Sequence, residues 1–278
     1  MKIRICFLLD LVLLIGLAAC DRLTPVRLVA VPTAAARQPA TLTVFAAASL
    51  TEPFDEIGHQ FEAQHPGVAI IFNFAGSQLL AQQIKDGAPV DVFASANPKQ
   101  MEAAIDSGRV ISGTAHTFSS NRLVVIYPLD NPVGLAQLQD LSKPGLRLLL
   151  AAKEVPVGQY ALDFLERAAH DKAFGSAFKA GVLQNVVSYE NDVKSVLTKV
   201  VLGEADAGIV YNSDVSGGSA ARVGQIQIPD ALNVIARYPL AALRDSSSPE
   251  LAKAFVEYVL SPQGQAVLSR YGFSPVTK

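Results

Sequence analysis

The sequence predicts an α/β protein built as two lobes, and three observations carry that prediction. From Thr41 onward, β-prone runs alternate with amphipathic helical runs, each unit long enough for a parallel crossover. The alternation falls into two sets with no flexible Gly/Ser linker between them. Two extended segments, near Asn121–Ile126 and Val234–Pro239, stand where a chain would cross between lobes and return.

In the first set, "TLTVFAA" reads as a strand. "TEPFDEIGHQFEAQHPG" follows as a helix, with Phe54, Ile57 and Phe61 at helical spacing and a Pro-Gly stop. "VAIIFNFAGS" is a second strand, and "QLLAQQIKDGAP" a helix closed at Gly87. "VDVFASA" reads as a buried strand, and "PKQMEAAIDSG" as a helix with Pro98 in its first turn. The second set begins near "NRLVVIYP". "LRLLLAAKEVPVGQYALDFLERAA" gives a strand, a turn holding Pro156 and Gly158, and a helix. "NVVSYENDVKSVLTKVVLGEADAGIVYNSD" gives a strand, a helix burying Val193, Val196, Leu197, Val200 and Val201, and the strand "AGIVY". Two helices in "SPELAKAFVEYVLSPQGQAVLSRYGF" close the chain and are expected back on the first lobe.

The N-terminus carries a different signal. "MKIR" followed by an apolar run ending in "LAAC" has the layout of an export signal, and Asp10 breaks the run too early for a membrane span. "LAAC" also resembles a bacterial lipobox, which makes Cys20 the expected lipidation site and residues 1–19 a lipoprotein-type signal peptide. Residues 20–40, with three prolines and no amphipathic period, read as anchor and tether. Cys6 leaves with the signal, so the body of the chain has no thiol for disulfides, metal thiolates or a cysteine nucleophile.

Composition narrows the function. With 50% hydrophobic and 17% charged residues the chain has ample core-forming material, and a formal charge of -2 offers no basic face for nucleic acid. The four histidines are scattered, and no G-x-G-x-x-G, P-loop or G-x-S-x-G motif is present. Asp91 and Asp206 stand at strand starts, where a capping or turn role is the ordinary one. No recognisable catalytic set emerges.

What recurs is neutral donors at helix starts. Ser49 follows the first strand, Ser77 precedes the second helix, and Val157-Gly158 and Asn191-Asp192-Val193 open two later helices. The first turn of a helix offers unpaired N–H groups and partial positive charge, which suits an anion. In open α/β sheets ligands sit beyond the carboxyl ends of the strands, where these turns fall. Each signal alone has an ordinary reading: serine before a helix is most often an N-cap, and a strand-end tyrosine such as Tyr211 usually turns its hydroxyl to water.

Taken together, "TVFAAASL", "FAGSQLLAQQI", "GAPVDVFASAN", "VPVGQYA", "ENDVKSVL", "GEADAGIVYNSD" and "SRYGF" resemble the periplasmic molybdate-binding proteins of ABC uptake systems, over about Thr41 to Phe273. The resemblance implies a type II periplasmic-binding-protein fold: α/β, two lobes joined by two crossover strands, with the ligand cleft between them. Lobe 1 is expected at 41–122 plus 234–278 and lobe 2 at 123–233. It also implies the oxyanion ligands. Ser49 and Ser77 are to give hydroxyl and N–H, Val157 and Val193 backbone N–H, and Tyr211 its hydroxyl. Val157 departs from the alanine frequent in relatives. Molybdenum or tungsten would be held only within the oxyanion, with no cofactor and no separate metal site. The expected partners are permease subunits of an ABC transporter and, through Cys20, a membrane; the expected state is a periplasmic, lipid-anchored monomer.

Donor-only chemistry agrees with that reading. A tetrahedral dianion that stays unprotonated at neutral pH offers only acceptors, whereas a protonated phosphate would need an acceptor in the site. Leaving its proton unpaired would cost roughly 1–3 kcal/mol. Sulfate meets the same criteria, so a sulfate-binding protein is the nearer alternative. A ferric-iron binder is disfavoured because Asn212, not a second tyrosine, follows Tyr211. An exported two-lobe enzyme and a regulatory effector-binding domain are the more distant alternatives.

Overall fold

A computed structural model of the chain describes residues 40–216 and 221–275. The predicted signal peptide, Cys20 and the tether up to residue 39 lie outside the described residues. Ala40 is already the first residue of a strand, paired with Val68.

Two five-stranded mixed sheets form the frame, each flanked by helices. The first half of the chain supplies β1 (Ala40–Ala47), α1 (Thr51–Gln64), β2 (Val68–Ala75), α2 (Ser77–Lys85), β3 (Val92–Ala94), α3 (Pro98–Asp106) and β4 (His116–Asn121). It then crosses to β5 (Leu123–Pro128), β6 (Leu148–Ala151), α4 (Pro156–His170), α5 (Phe178–Gln184), β7 (Val186–Glu190), α6 (Val193–Val201), β8 (Ala207–Tyr211) and β9 (Val223–Gln227). The return is β10 (Ala236–Ala242), followed by α7 (Pro249–Leu260) and α8 (Pro262–Arg270).

The first sheet has the order β2-β1-β3-β10-β4 and the second β7-β6-β8-β5-β9. These are the same topology. In each, three parallel strands stand beside one antiparallel strand delivered from the other half of the chain: β10 in the first sheet and β5 in the second. Two α/β lobes joined by two crossings therefore result, as the alternation of runs predicted.

Strand alternation decides what each face buries. Leu42, Val44 and Ala46 of β1 pack toward Phe54, Ile57 and Phe61 of α1 and Phe255 of α7, while Phe45 packs with Leu80 and Ile84 of α2 and Met101 of α3. Phe54 meets Phe255 edge-on at 6.1 Å between centroids, and Phe61 does so at 5.4 Å. The last helices thus close over α1, on the first sheet. In the second sheet, α6 buries Val196 and Val200, and Gly208 of β8 lets them approach, since a Cβ there would lie 2.7 Å from Val196.

Three elements were not legible as such: β4, β9 and the short α5. β9 reads "VGQIQ" and lies half-exposed at the sheet edge, so it lacks the apolar alternation that marks a strand.

Candidate functional site

The carboxyl ends of six parallel strands, β1 to β3 and β6 to β8, point at one small cavity. It has a volume of about 10 Å³ and is lined by Ala47, Ala48, Ser49, Ala75, Gly76, Ser77, Ala96, Val155, Pro156, Val157, Asp192, Val193 and Tyr211. All five residues singled out as oxyanion ligands line it, although they are spread from position 49 to position 211.

Neither serine is an N-cap. Ser49 sits inside a 3-10 turn, Ala48–Leu50, that joins β1 to α1, and its Oγ lies 3.0 Å from the Tyr238 hydroxyl. Ser77 is the first residue of α2, after Gly76, and its Oγ accepts the Ala96 N–H at 3.0 Å. The capping reading fails because the two hydroxyls bond to distant residues and not to their own helices.

Three of the four chain turns at the cavity have no side-chain cap: the 3-10 turn before α1, α2 and α4. In α6, Asp192 caps Ser195 N at 2.9 Å, which leaves the Val193 N–H ahead of the cap. The first turn of each helix therefore directs uncommitted N–H groups and the positive end of its dipole at the cavity. Pro156 and Gly158, expected in a turn, belong to the first turn of α4. Gly158 is required there, because a Cβ would lie 2.1 Å from the Ala152 carbonyl oxygen.

Asp192 is a carboxylate on the cavity wall, which the sequence reading did not anticipate. Both of its oxygens are engaged, Oδ1 by Ser195 N and Oδ2 by Ser195 Oγ, each at 2.9 Å. Its acceptors serve α6.

Tyr211 is 1% exposed, and its hydroxyl has no hydrogen-bond partner among the described residues. A buried unpaired hydroxyl costs about 1–3 kcal/mol, so this one is waiting for an acceptor. Burial, with Tyr238 nearby, holds the phenol well above the ordinary tyrosine range, and Tyr211 stays a neutral donor. Its strand-end position does not turn the hydroxyl to water: Tyr238 packs against its ring at 5.8 Å between centroids.

Residues behind the wall shape this environment. Tyr238, on β10, is fully buried, and burial likewise keeps it neutral. Asp214 follows Tyr211 and accepts its N–H at 3.0 Å; burial raises that carboxyl to about 6, although Lys194 favours its ionised form. Burial alone would lower Lys194, but Asp214 and Glu52 together hold it above the ordinary lysine value. None of these stood out in the sequence, because only long-range contacts bring them here. Asp91 and Asp206 fill neither a capping nor a turn role; each ties distant segments together. Asp91 accepts from Thr43 N, Ser246 and Ser247, and Asp206 accepts from Arg147 N at 2.8 Å and pairs with its guanidinium.

The two lobes meet around the cavity. Gln78 Nε2, on α2, donates to the Asn191 carbonyl at 2.9 Å, and a Cβ on Gly76 would lie 2.4 Å from that same oxygen. Two α/β lobes in contact around a small donor-lined cavity define a ligand-enclosing binding protein. Residues 42–274 match the bacterial extracellular solute-binding proteins, and the chain belongs to that family. It is 38% identical over 267 residues, 96% of each chain, to the molybdate-binding protein ModA of Mycobacterium tuberculosis H37Rv. To ModA of Escherichia coli K12 it is 33% identical over 244 residues, 84% of this chain and 88% of the other. The Azotobacter vinelandii periplasmic molybdate-binding protein shares the fold, with a TM-score of 0.73 at 21% identity over 85% of this chain and all of that one.

Proposed function

We propose that the protein captures molybdate, and tungstate as its close chemical equivalent, in the cavity between its lobes and hands it to the permease of an ABC transporter. The observation that carries this is the Tyr211 hydroxyl, buried and without an acceptor among the described residues, on a wall where four chain turns direct N–H groups inward. Ser49, Ser77 and Tyr211 donate through hydroxyls, and Val157 and Val193 through the backbone. The relatives named for molybdate binding support the choice of anion.

A tetrahedral dianion presents acceptors on all four corners and carries no proton to be satisfied. Neutral donors and helix dipoles compensate its charge without a lysine or arginine contact, and they are preorganised, which limits the cost of binding. The protein performs no chemistry; its work is enclosure and release. In this reading the lobes are residues 41–122 with 234–278 and residues 123–233, and closure occurs about the two crossings. The protein acts as a monomer on the periplasmic side, held at the membrane through lipid on Cys20.

Titration calorimetry with molybdate, tungstate, sulfate and phosphate tests the claim. Tight binding of molybdate and tungstate alone is expected; no heat with either, or a preference for sulfate, overturns it. A melting shift should rank the anions in the same order, since a ligand of the native state stabilises it by RT ln(1 + [L]/Kd).

A further inference from the structure

We propose that Gln78 and Gln100 form a neutral clasp across the lobe junction, which sets how slowly the enclosed anion leaves without slowing its capture. The inference rests on the oxyanion reading above and deepens it with two positioning residues, neither of which lines the cavity.

The two contacts follow one pattern. Gln78 stands in the first turn of α2, directly after Ser77, and its Nε2 donates to the Asn191 carbonyl at 2.9 Å. Gln100 stands in the first turn of α3, and its Nε2 donates to the Glu154 carbonyl at 3.4 Å. Both helices pack on the first sheet, whereas Asn191 and Glu154 belong to the loops that open α6 and α4 on the second. Val193 and Val157, which offer backbone N–H groups to the anion, follow those carbonyls by two and three positions. Each backbone-donor turn of the second lobe is therefore gripped from the first lobe by one amide.

The carbonyls fix the orientation of the amides. A carbonyl oxygen only accepts, so Nε2 must face it; the reversed amide would set two oxygens against each other. At Gln78 the amide lies folded over Gly76, where a Cβ would come within 2.5 Å of both Nε2 and Oε1. Oε1 is left buried, with no hydrogen-bond partner among the described residues. Water satisfies that oxygen once the lobes separate. Closure thus gains one hydrogen bond and leaves one acceptor unpaired, which keeps the clasp weak enough to let go. An amide also holds the junction without placing a charge beside the dianion. Lys194 and Glu52 cross the same junction as a half-exposed ion pair, which salt screens. The amide contacts carry no such dependence.

The test is Gln78→Met and Gln100→Met, which keep the length of each side chain and remove its amide. Molybdate capture is followed by stopped-flow tyrosine fluorescence, since the chain has no Trp and Tyr211 lies on the cavity wall. Calorimetry gives Kd, and the release rate follows as Kd times the capture rate. Gln78→Met is expected to raise the release rate about fivefold with capture unchanged, the worth of one neutral hydrogen bond. Gln100→Met, whose contact is longer, should raise it about twofold. The double variant should reach about tenfold, the product of the two. Ligand-free melting temperatures should hold in all three, because the contacts exist only between closed lobes. Glu52→Gln, which removes the ion pair instead, should change release less than Gln78→Met. Unchanged release in Gln78→Met, a slower capture that accounts for all its loss of affinity, or a larger effect of Glu52→Gln would each overturn the clasp. Wild-type protein that binds no oxyanion overturns the functional reading itself, an outcome distinct from intact binding with unaltered release.

Discussion

Lys194 Nζ lies 2.7 Å from Glu52 Oε2, joining α6 to the first turn of α1 across the junction of the two lobes. The same ammonium lies 3.4 Å from Asp214 Oδ1, whose side chain is fully buried. One cation thus serves a half-exposed and a buried carboxylate, and the two contacts should differ greatly in value. Glu52→Gln is expected to cost less than about 1 kcal/mol of stability. Lys194→Met leaves Asp214 buried without its cation and should cost on the order of 3 kcal/mol. Urea unfolding of both variants checks this; equal effects would refute the asymmetry.

Asp214 also sets a pH dependence. Its folded pKa, raised to about 6 by burial, lies above the unfolded value of 3.8. Between those values the folded state binds more protons than the unfolded state, so stability falls as pH rises through that window. Asp214→Asn should flatten this part of the profile, as read by urea unfolding at a series of pH values. A variant as steep as the wild type there would assign the dependence to other groups.

Tyr211→Phe should move two measurements in opposite directions. It removes an unpaired buried hydroxyl, so the ligand-free protein should hold its melting temperature or gain. It also removes a ligand donor, so molybdate affinity should weaken by about 1–3 kcal/mol. Ser49→Ala should weaken binding by a similar amount. Unchanged affinity in both variants would mean that the anion sits elsewhere.

Gly76 and Gly158 separate closure from folding. A Cβ on Gly76 meets the Asn191 oxygen of the opposite lobe at 2.4 Å, whereas one on Gly158 meets Ala152 within the same lobe at 2.1 Å. Gly76→Ala is expected to weaken ligand binding at least tenfold with little change in ligand-free stability. Gly158→Ala should destabilise the fold by about 1–3 kcal/mol. Calorimetry and thermal melts on the pair distinguish the two; a Gly76 variant that binds normally would show that this contact does not govern closure.

Much of this organisation was legible in the chain. Helical spacing at Phe54, Ile57 and Phe61 and the β-prone runs "TLTVFAA" and "AGIVY" are local signals, and local signals survive without knowledge of the fold. The helix starts at Ser49, Ser77, Val157 and Val193 were legible in the same way as places for an anion, whereas the choice of these four and Tyr211 as oxyanion ligands came from the resemblance to molybdate-binding proteins. The half-exposed β9 escaped because it buries too little apolar surface to leave a periodic trace, and α5 because its seven residues carry just one buried pair, Phe178 and Val182.

The order of strands and helices, and the small residues at their ends, follow from side-chain periodicity and backbone freedom, which are properties of neighbouring residues. The polarity of the site does not. Ser49 and Tyr238 are 189 positions apart, and Glu52 and Lys194 are 142 apart, yet each pair is in hydrogen-bond contact. Ser49 has the same hydroxyl whether it caps a helix or donates to a ligand. Its partner on the protein side is a tertiary matter, and only the crossing of β10 back to the first sheet brings the Tyr238 hydroxyl within 3.0 Å of it.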